Sequence, residues 1–348
     1  MLYVGTYSVR GSEGIYALDF DARTGAVSNQ RHVAGLRNPS FLALHPREPW
    51  LYAVSEAEGQ GAVAAIALPM GPGPGAILNQ ESTRGVGPCH VAVDPTGHWV
   101  ASANYVSGSV CLHAIQADGT LAPPADVAQH TGSGPNSRRQ EGPHAHSVTF
   151  DPSGTFIIAA DLGIDRMLVY LLDRDRGKLV PHDPAGLSVK PGAGPRHFAF
   201  HPTGEFAYVI NELDNTVVAC AWDAVPGKLS ALQTLSTLPP DFAETSYCAD
   251  IHVHPNGRYL YGTNRGHDSL AVFAIDPRTG VLEAMGHVST GGRNPRNFTI
   301  TADGEWLLAA NQDTDNIVVF RVREDGATLE PVGDHLSIPA PVCLVFGN

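Results

Sequence analysis

Apolar residues recur at every second position in short runs along this chain, and turn residues separate the runs. The stretch from Gly194 to Asp223, GPRHFAFHPTGEFAYVINELDNTVVACAWD, shows the pattern most fully. Phe198 and Phe200 mark one strand, Phe206 and Tyr208 a second, Val217 and Ala219 a third. His-Pro-Thr-Gly between the first two is turn chemistry, because Pro fixes φ and Gly accepts φ > 0. The unit recurs at turns His45-Pro46, Asp94-Pro95, Asp151-Pro152, His201-Pro202, His254-Pro255 and, in degenerate form, Thr301-Ala302. The second residues of these pairs lie 49, 57, 50, 53 and 47 positions apart. Second strands follow each turn, as in LYAVSE, WVASANY, FIIAAD, FAYVINE, YLYGTNR and WLLAANQ, and third strands follow after polar corners. A period near 50 residues with four strands each predicts a β-propeller. A helical alternative needs capped runs of period 3.6, and none of useful length occurs.

A seventh copy is split between the ends of the chain. Ala340 to Asn348, APVCLVFGN, resembles a first strand, and Met1 to Tyr7 a second. The reading is all-β: a seven-bladed β-propeller of four-stranded antiparallel blades over 1–348 as one domain. Pairing of strand 340–348 with strand 1–7 closes the ring and hides the sheet edges. The longest spacing localises an insertion, Gly132 to Gly142 (GSGPNSRRQEG), which reads as a loop.

Composition narrows the function. The net charge of −13 argues against a general nucleic-acid surface while leaving room for a local basic pocket. No window is apolar enough to span a membrane. MLYVGTY enters a strand without a basic and then apolar leader, so cytoplasm is the expectation. The five cysteines are odd in number and widely spaced, lack C-x-x-C, and read as small core residues. No G-x-S-x-G elbow, P-loop or dinucleotide fingerprint is present.

Antiparallel connectivity puts residues that open first strands on the same rim as residues that close second strands. The opening set is His144 with His146, Arg196 with His197, Asp250 with His252, and Arg296 with Asn297. The closing set is Glu56, Asn104 with Tyr105, Asp161, Asn211 with Glu212, Asn264 with Arg265, and Asn311 with Gln312. From these, His144, His197, Asp250, His252, Arg296, Asn104 and Asn311 are candidate substrate-binding residues. Arg196, Arg265 and Arg296 suit bidentate recognition of phosphate or carboxylate, or each could pair with a nearby acid to lock the blades. Glu212 and His146 are the candidate proton-transfer groups, and an arginine could hold a developing oxyanion. His144, His146 and His252 share a face that could hold a metal, but no carboxylate spacing supports one. His45, His201 and His254, in the turns, read as structural.

GPRHFAFHP, FAYVINELDN, CADIHVHPNGRYLYGTNR and NPRNFTITADGEWLLAANQ together resemble the seven-bladed β-propeller lactonase family. Its bacterial members include the propeller-type 6-phosphogluconolactonase, and it is related to the eukaryotic 3-carboxymuconate-lactonising enzymes. The resemblance implies site roles for His146 in HAHSV, Arg196 in GPRH, Glu212 in INEL and Arg265 in GTNR, with His144 versus His146 left open. It implies cofactor-free hydrolysis of 6-phospho-D-glucono-1,5-lactone in the pentose phosphate pathway. Arg265 and Arg296 would hold the substrate anion, Arg196 the carbonyl oxygen, and Glu212 or His146 would activate water. The alternatives are a lactonising cycloisomerase, another sugar lactonase, or a non-catalytic ligand- or protein-binding propeller. Arg138 and Arg139 in the insertion could reach a phosphate, although a solvated loop is the simpler expectation. The expected partner is a small anionic lactone, with the protein a monomer or weak homo-oligomer.

Overall fold

The computed structural model describes residues 1–347 apart from Glu58, Met70, Pro72, Pro184 and Ala185; Asn348, the last residue of the expected closing strand, also lies outside. Seven antiparallel sheets of four strands radiate from a common axis, two of them with a short extra strand. Blades 1 to 6 open with inner strands Leu42–Leu44, Pro88–Val93, Ala145–Phe150, Pro195–Phe200, Tyr247–Val253 and Pro295–Ile300. Pro341–Phe346 opens blade 7 and pairs antiparallel with Leu2–Thr6, so the first and last strands close the ring. Each inner strand neighbours the inner strands of the two flanking blades around the axis.

The expected alternation takes a particular form. Second strands such as Phe206–Asn211 are buried on both faces, because each blade is sandwiched between two others. Tyr208 and Ile210 join a core with Leu260 and Phe273 of blade 5. The smaller Ala207 and Val209 join one with Ile158 and Met167 of blade 3. Period 2 therefore appears as large against small rather than apolar against polar. Fully burying a side chain of this size contributes about 1.5–3 kcal/mol.

Polar latches tie the blades on the turn face. His45, His201 and His254 donate from Nε2 to the carbonyls of Gly97, Gly257 and Gly304 in the next blade at 3.0, 2.8 and 2.9 Å. Each Nδ1 accepts from a backbone N–H of its own turn. Gly304 serves twice here: its φ is +76°, and an added Cβ would lie 2.3 Å from the His254 ring. In blade 2, Asp94 replaces the histidine. Arg174 of blade 3 bonds both Asp94 (3.0 Å) and the Gly154 carbonyl (2.7 Å), so the latch persists with other chemistry.

Candidate active site

A recurrent irregularity at the start of the inner strands builds the site. Pro88 pairs with Asn104 and His90 with Ala103, leaving Cys89 as an extra residue. The same one-residue bulge isolates His146, Arg196 and Arg296 in blades 3, 4 and 6. A bulge bends the strand and re-aims the extra side chain. Here it turns these residues towards one mouth of the axial channel. Tyr7, Glu56, Tyr105 and Glu212 each lie just past the end of a second strand, and Arg265 ends one.

Together with Arg139 and Tyr247, all of these residues except Arg196 line a cavity of about 340 Å³. Arg196 lines a narrower space beneath it that shares Cys89 and Arg296 with the cavity. Glu212 is the electrostatic hub, accepting from Arg139 Nη2 at 2.5 Å, Arg265 Nη2 at 2.8 Å and Arg196 Nε at 3.0 Å. Burial raises the carboxyl pKa, but Arg265, Arg196 and Arg139 outweigh it and hold it at about 2. The buried Arg196 and Arg265 are lowered too, by burial first and then by the other cations facing them, against the pull of Glu212. Four guanidinium groups share the site with two carboxylates, Glu212 and Glu56; this excess of cations lowers the Glu212 carboxyl and adds to the lowering of the two arginines. Guanidinium groups stay charged regardless.

Arg296 differs from the other three. Among the described residues it has no ion pair, and its guanidinium lies 5.3 Å from the centroid of the Tyr7 ring. Glu56 instead takes the Ser40 hydroxyl, and burial raises its pKa. One cation in the cavity thus has no ion pair among the described residues.

His146 carries the site's imidazole. Its Nδ1 faces Cys89 Sγ at 3.8 Å, and Nε2 has no hydrogen bond among the described residues. Burial first, then Arg196, His197 and the remaining arginines, hold its pKa well below the usual histidine range. It is therefore a neutral imidazole at pH 7, able to take a proton. Glu212, held ionised by three arginines, is a weak base and acts as their clamp. Cys89 is an unsuitable nucleophile, because burial pushes its thiol up to about 12.

A family description, lactonase with a 7-bladed beta-propeller, matches residues 1–346. The 6-phosphogluconolactonase of Bacillus subtilis is 40% identical over 344 residues, 99% of this chain and 97% of the relative. This chain belongs to the seven-bladed β-propeller lactonase family. The 6-phosphogluconolactonase of Formosa agariphila is 33% identical, covering 97% of this chain and 96% of that one. The periplasmic gluconolactonase of Pseudomonas aeruginosa superposes with a TM-score of 0.93 at 32% identity, covering 99% and 98% of the two chains.

In this lactonase, the residues expected from sequence fall into three places. His146, Glu212, Arg265 and Arg296 line the cavity, and Arg196 lies directly beneath. His144 stacks behind Tyr105 with ring centroids 4.6 Å apart, and its Nδ1 lies 2.9 Å from the Tyr105 carbonyl. Asn104 and Asn311 are buried in the corners, donating to the Thr83 and Thr290 carbonyls. They brace loops because the second strand's last side chain turns into the blade and the next one faces the mouth. His197, Asp250 and His252 lie deeper along the axis, and His252 borders a separate cavity towards the other mouth. Among the described residues, no His, Cys, Asp and Glu cluster is arranged to hold a metal.

Arg139 is where the solvated-loop expectation fails. Gln140, fully buried, donates to the Leu162 carbonyl at 2.8 Å and to Asp165 at 2.7 Å, pinning the insertion to blade 3. That anchor presents Arg139 to Glu212 and Tyr105, while Arg138 stays exposed. Cys89 and Tyr7 were legible only by analogy: they hold the positions of Arg196 and Glu212 in their own blades.

Proposed function

We propose that this lactonase hydrolyses 6-phospho-D-glucono-1,5-lactone to 6-phosphogluconate. The observation that carries the reading is Arg296: a guanidinium in a cavity, without an ion pair among the described residues, beside a neutral imidazole and a surplus of positive charge. An anionic sugar lactone supplies the missing negative charge and a carbonyl. His146 Nε2 takes a proton from water as the water oxygen bonds the lactone carbonyl carbon. The carbonyl π electrons move to oxygen, where the guanidinium of Arg196 faces the charge that develops. Collapse of the adduct breaks the ring C–O bond, and the leaving oxygen takes the proton back from imidazolium. One water is consumed, and the acid product then ionises. The substrate also opens spontaneously, so positioning and electrostatics suffice.

The reading places the enzyme in the cytoplasm as a monomer or weak homo-oligomer, acting on a small lactone and not on nucleic acid or membrane. Five cysteines without disulfides favour a reducing compartment. Among the described residues no helix is long and apolar enough to cross a membrane. Cell fractionation tests the compartment, since the Pseudomonas relative is periplasmic.

The test is hydrolysis of freshly generated 6-phosphogluconolactone, coupled to 6-phosphogluconate dehydrogenase and corrected for the spontaneous rate. Wild type should exceed that rate. Arg296→Met should raise KM about tenfold to a hundredfold, the value of a charged hydrogen-bonding contact. No wild-type excess sinks the reading, and turnover of carboxymuconate or unphosphorylated lactones alone replaces it.

A further inference from the structure

We infer that His197 and Asp250, which do not reach the cavity, are positioning residues that set the guanidinium of Arg196 for the oxyanion. The inference rests on the hydrolytic reading above.

Three acceptors hold Arg196, which is only 2% exposed. Glu212 takes Nε at 3.0 Å. The Ala249 carbonyl and His197 Nε2 take Nη1 at 2.5 and 3.1 Å. Nη2 has no partner among the described residues, so it is the donor left for a ligand. An arginine has no acceptor to offer, so His197 must present a lone pair at Nε2 and carry its proton on Nδ1. Asp250 enforces that tautomer, with Oδ1 2.7 Å from His197 Nδ1.

Asp250 is itself fixed as an acceptor. Its oxygens take Ile251 N at 3.0 Å, Asn297 Nδ2 at 2.6 Å, Phe298 N at 3.3 Å and His252 Nε2 at 2.9 Å. Every one of these neighbours donates. Asn297 is oriented in turn by Leu344 N, which donates to its Oδ1 at 2.7 Å. Blades 4 to 6 thus converge on one carboxylate, with blade 7 reaching it through Asn297, and that convergence reaches Arg196 through a single imidazole. Closure of the ring and placement of the oxyanion donor are parts of one network.

Two substitutions separate positioning from packing. In His197→Asn the amide can still donate to Asp250 but is too short to accept from Arg196. In His197→Gln the amide oxygen takes the place of Nε2 and accepts from Arg196. The expected result is a loss of about tenfold to a hundredfold in kcat for His197→Asn with KM little changed, because the Arg196 contact strengthens only as charge develops. His197→Gln should recover most of that loss. Equal losses in both variants, or a loss expressed in KM, would overturn the inference while leaving the hydrolytic reading intact. Nitrogen-15 spectra of histidine-labelled wild type, with the His197 signal identified by its absence from His197→Gln, give a readout independent of turnover. A neutral Nδ1–H imidazole supports the network; an Nε2–H tautomer or an imidazolium at neutral pH refutes it. A wild type without lactonase activity would instead strike the hydrolytic reading, and the tautomer would still decide whether the network exists.

Discussion

Glu212→Gln removes the one carboxylate on which three arginines converge. Glu212 is 4% exposed, so solvent screens these pairs little. Burial raises its pKa, yet Arg265, Arg196 and Arg139 bring it down from 4.5 to about 2. A displacement of that size is worth about 3 kcal/mol of folding free energy at neutral pH. The figure agrees with the roughly 3–5 kcal/mol typical of breaking a buried ion pair. The folded-state pKa is below the unfolded one, so the stabilisation is full above pH about 4.5 and fades as pH falls towards 2. Glu212→Gln should therefore be about 3 kcal/mol less stable than wild type at pH 7, and more than half of that gap should close by pH 3. Urea unfolding followed by tryptophan fluorescence at the two pH values measures both terms. A variant as stable as wild type at pH 7, or a gap unchanged by acid, would refute the account of Glu212 as a clamp held ionised by its arginines.

Two further outcomes follow from the same physics. His146 titrates well below the ordinary histidine range. Wild-type kcat/KM should accordingly stay level as pH falls through that range and drop only beneath it, whereas His146→Ala should lose about a hundredfold or more of kcat across the profile; a wild-type acid limb centred near 6.5 contradicts the assignment. His201→Ala deletes the latch to Gly257 on the face opposite the site. It should cost about 1–2 kcal/mol in urea unfolding and leave kcat and KM unchanged.

The repeat spacing, the seven blades and the split seventh blade were all legible in the one-dimensional pattern. Strand period and turn chemistry are local properties, and a period near 50 leaves few ways to pack. The rim was legible as a set, because antiparallel connectivity alone puts strand starts and strand ends on one face. Tertiary structure decided which members of that set share a cavity. An extra residue at each bulge turned His146, Arg196 and Arg296 towards the mouth and left His197 beneath it. Strict alternation cannot show this, since one added residue reverses the facing of everything beside it. Asn104 and Asn311 turned inward because loop carbonyls beside them needed donors. Arg139 entered the site from an insertion whose path depends on where buried Gln140 finds its partners. Ion-pair choice was likewise a three-dimensional outcome: two of the three arginines read from sequence took Glu212, and Arg296 has no ion pair among the described residues. The chain's own pattern specified the ring and the residues at its mouth; distances of a few ångströms between blades determined which charges cancel and which one is left without an ion pair among the described residues.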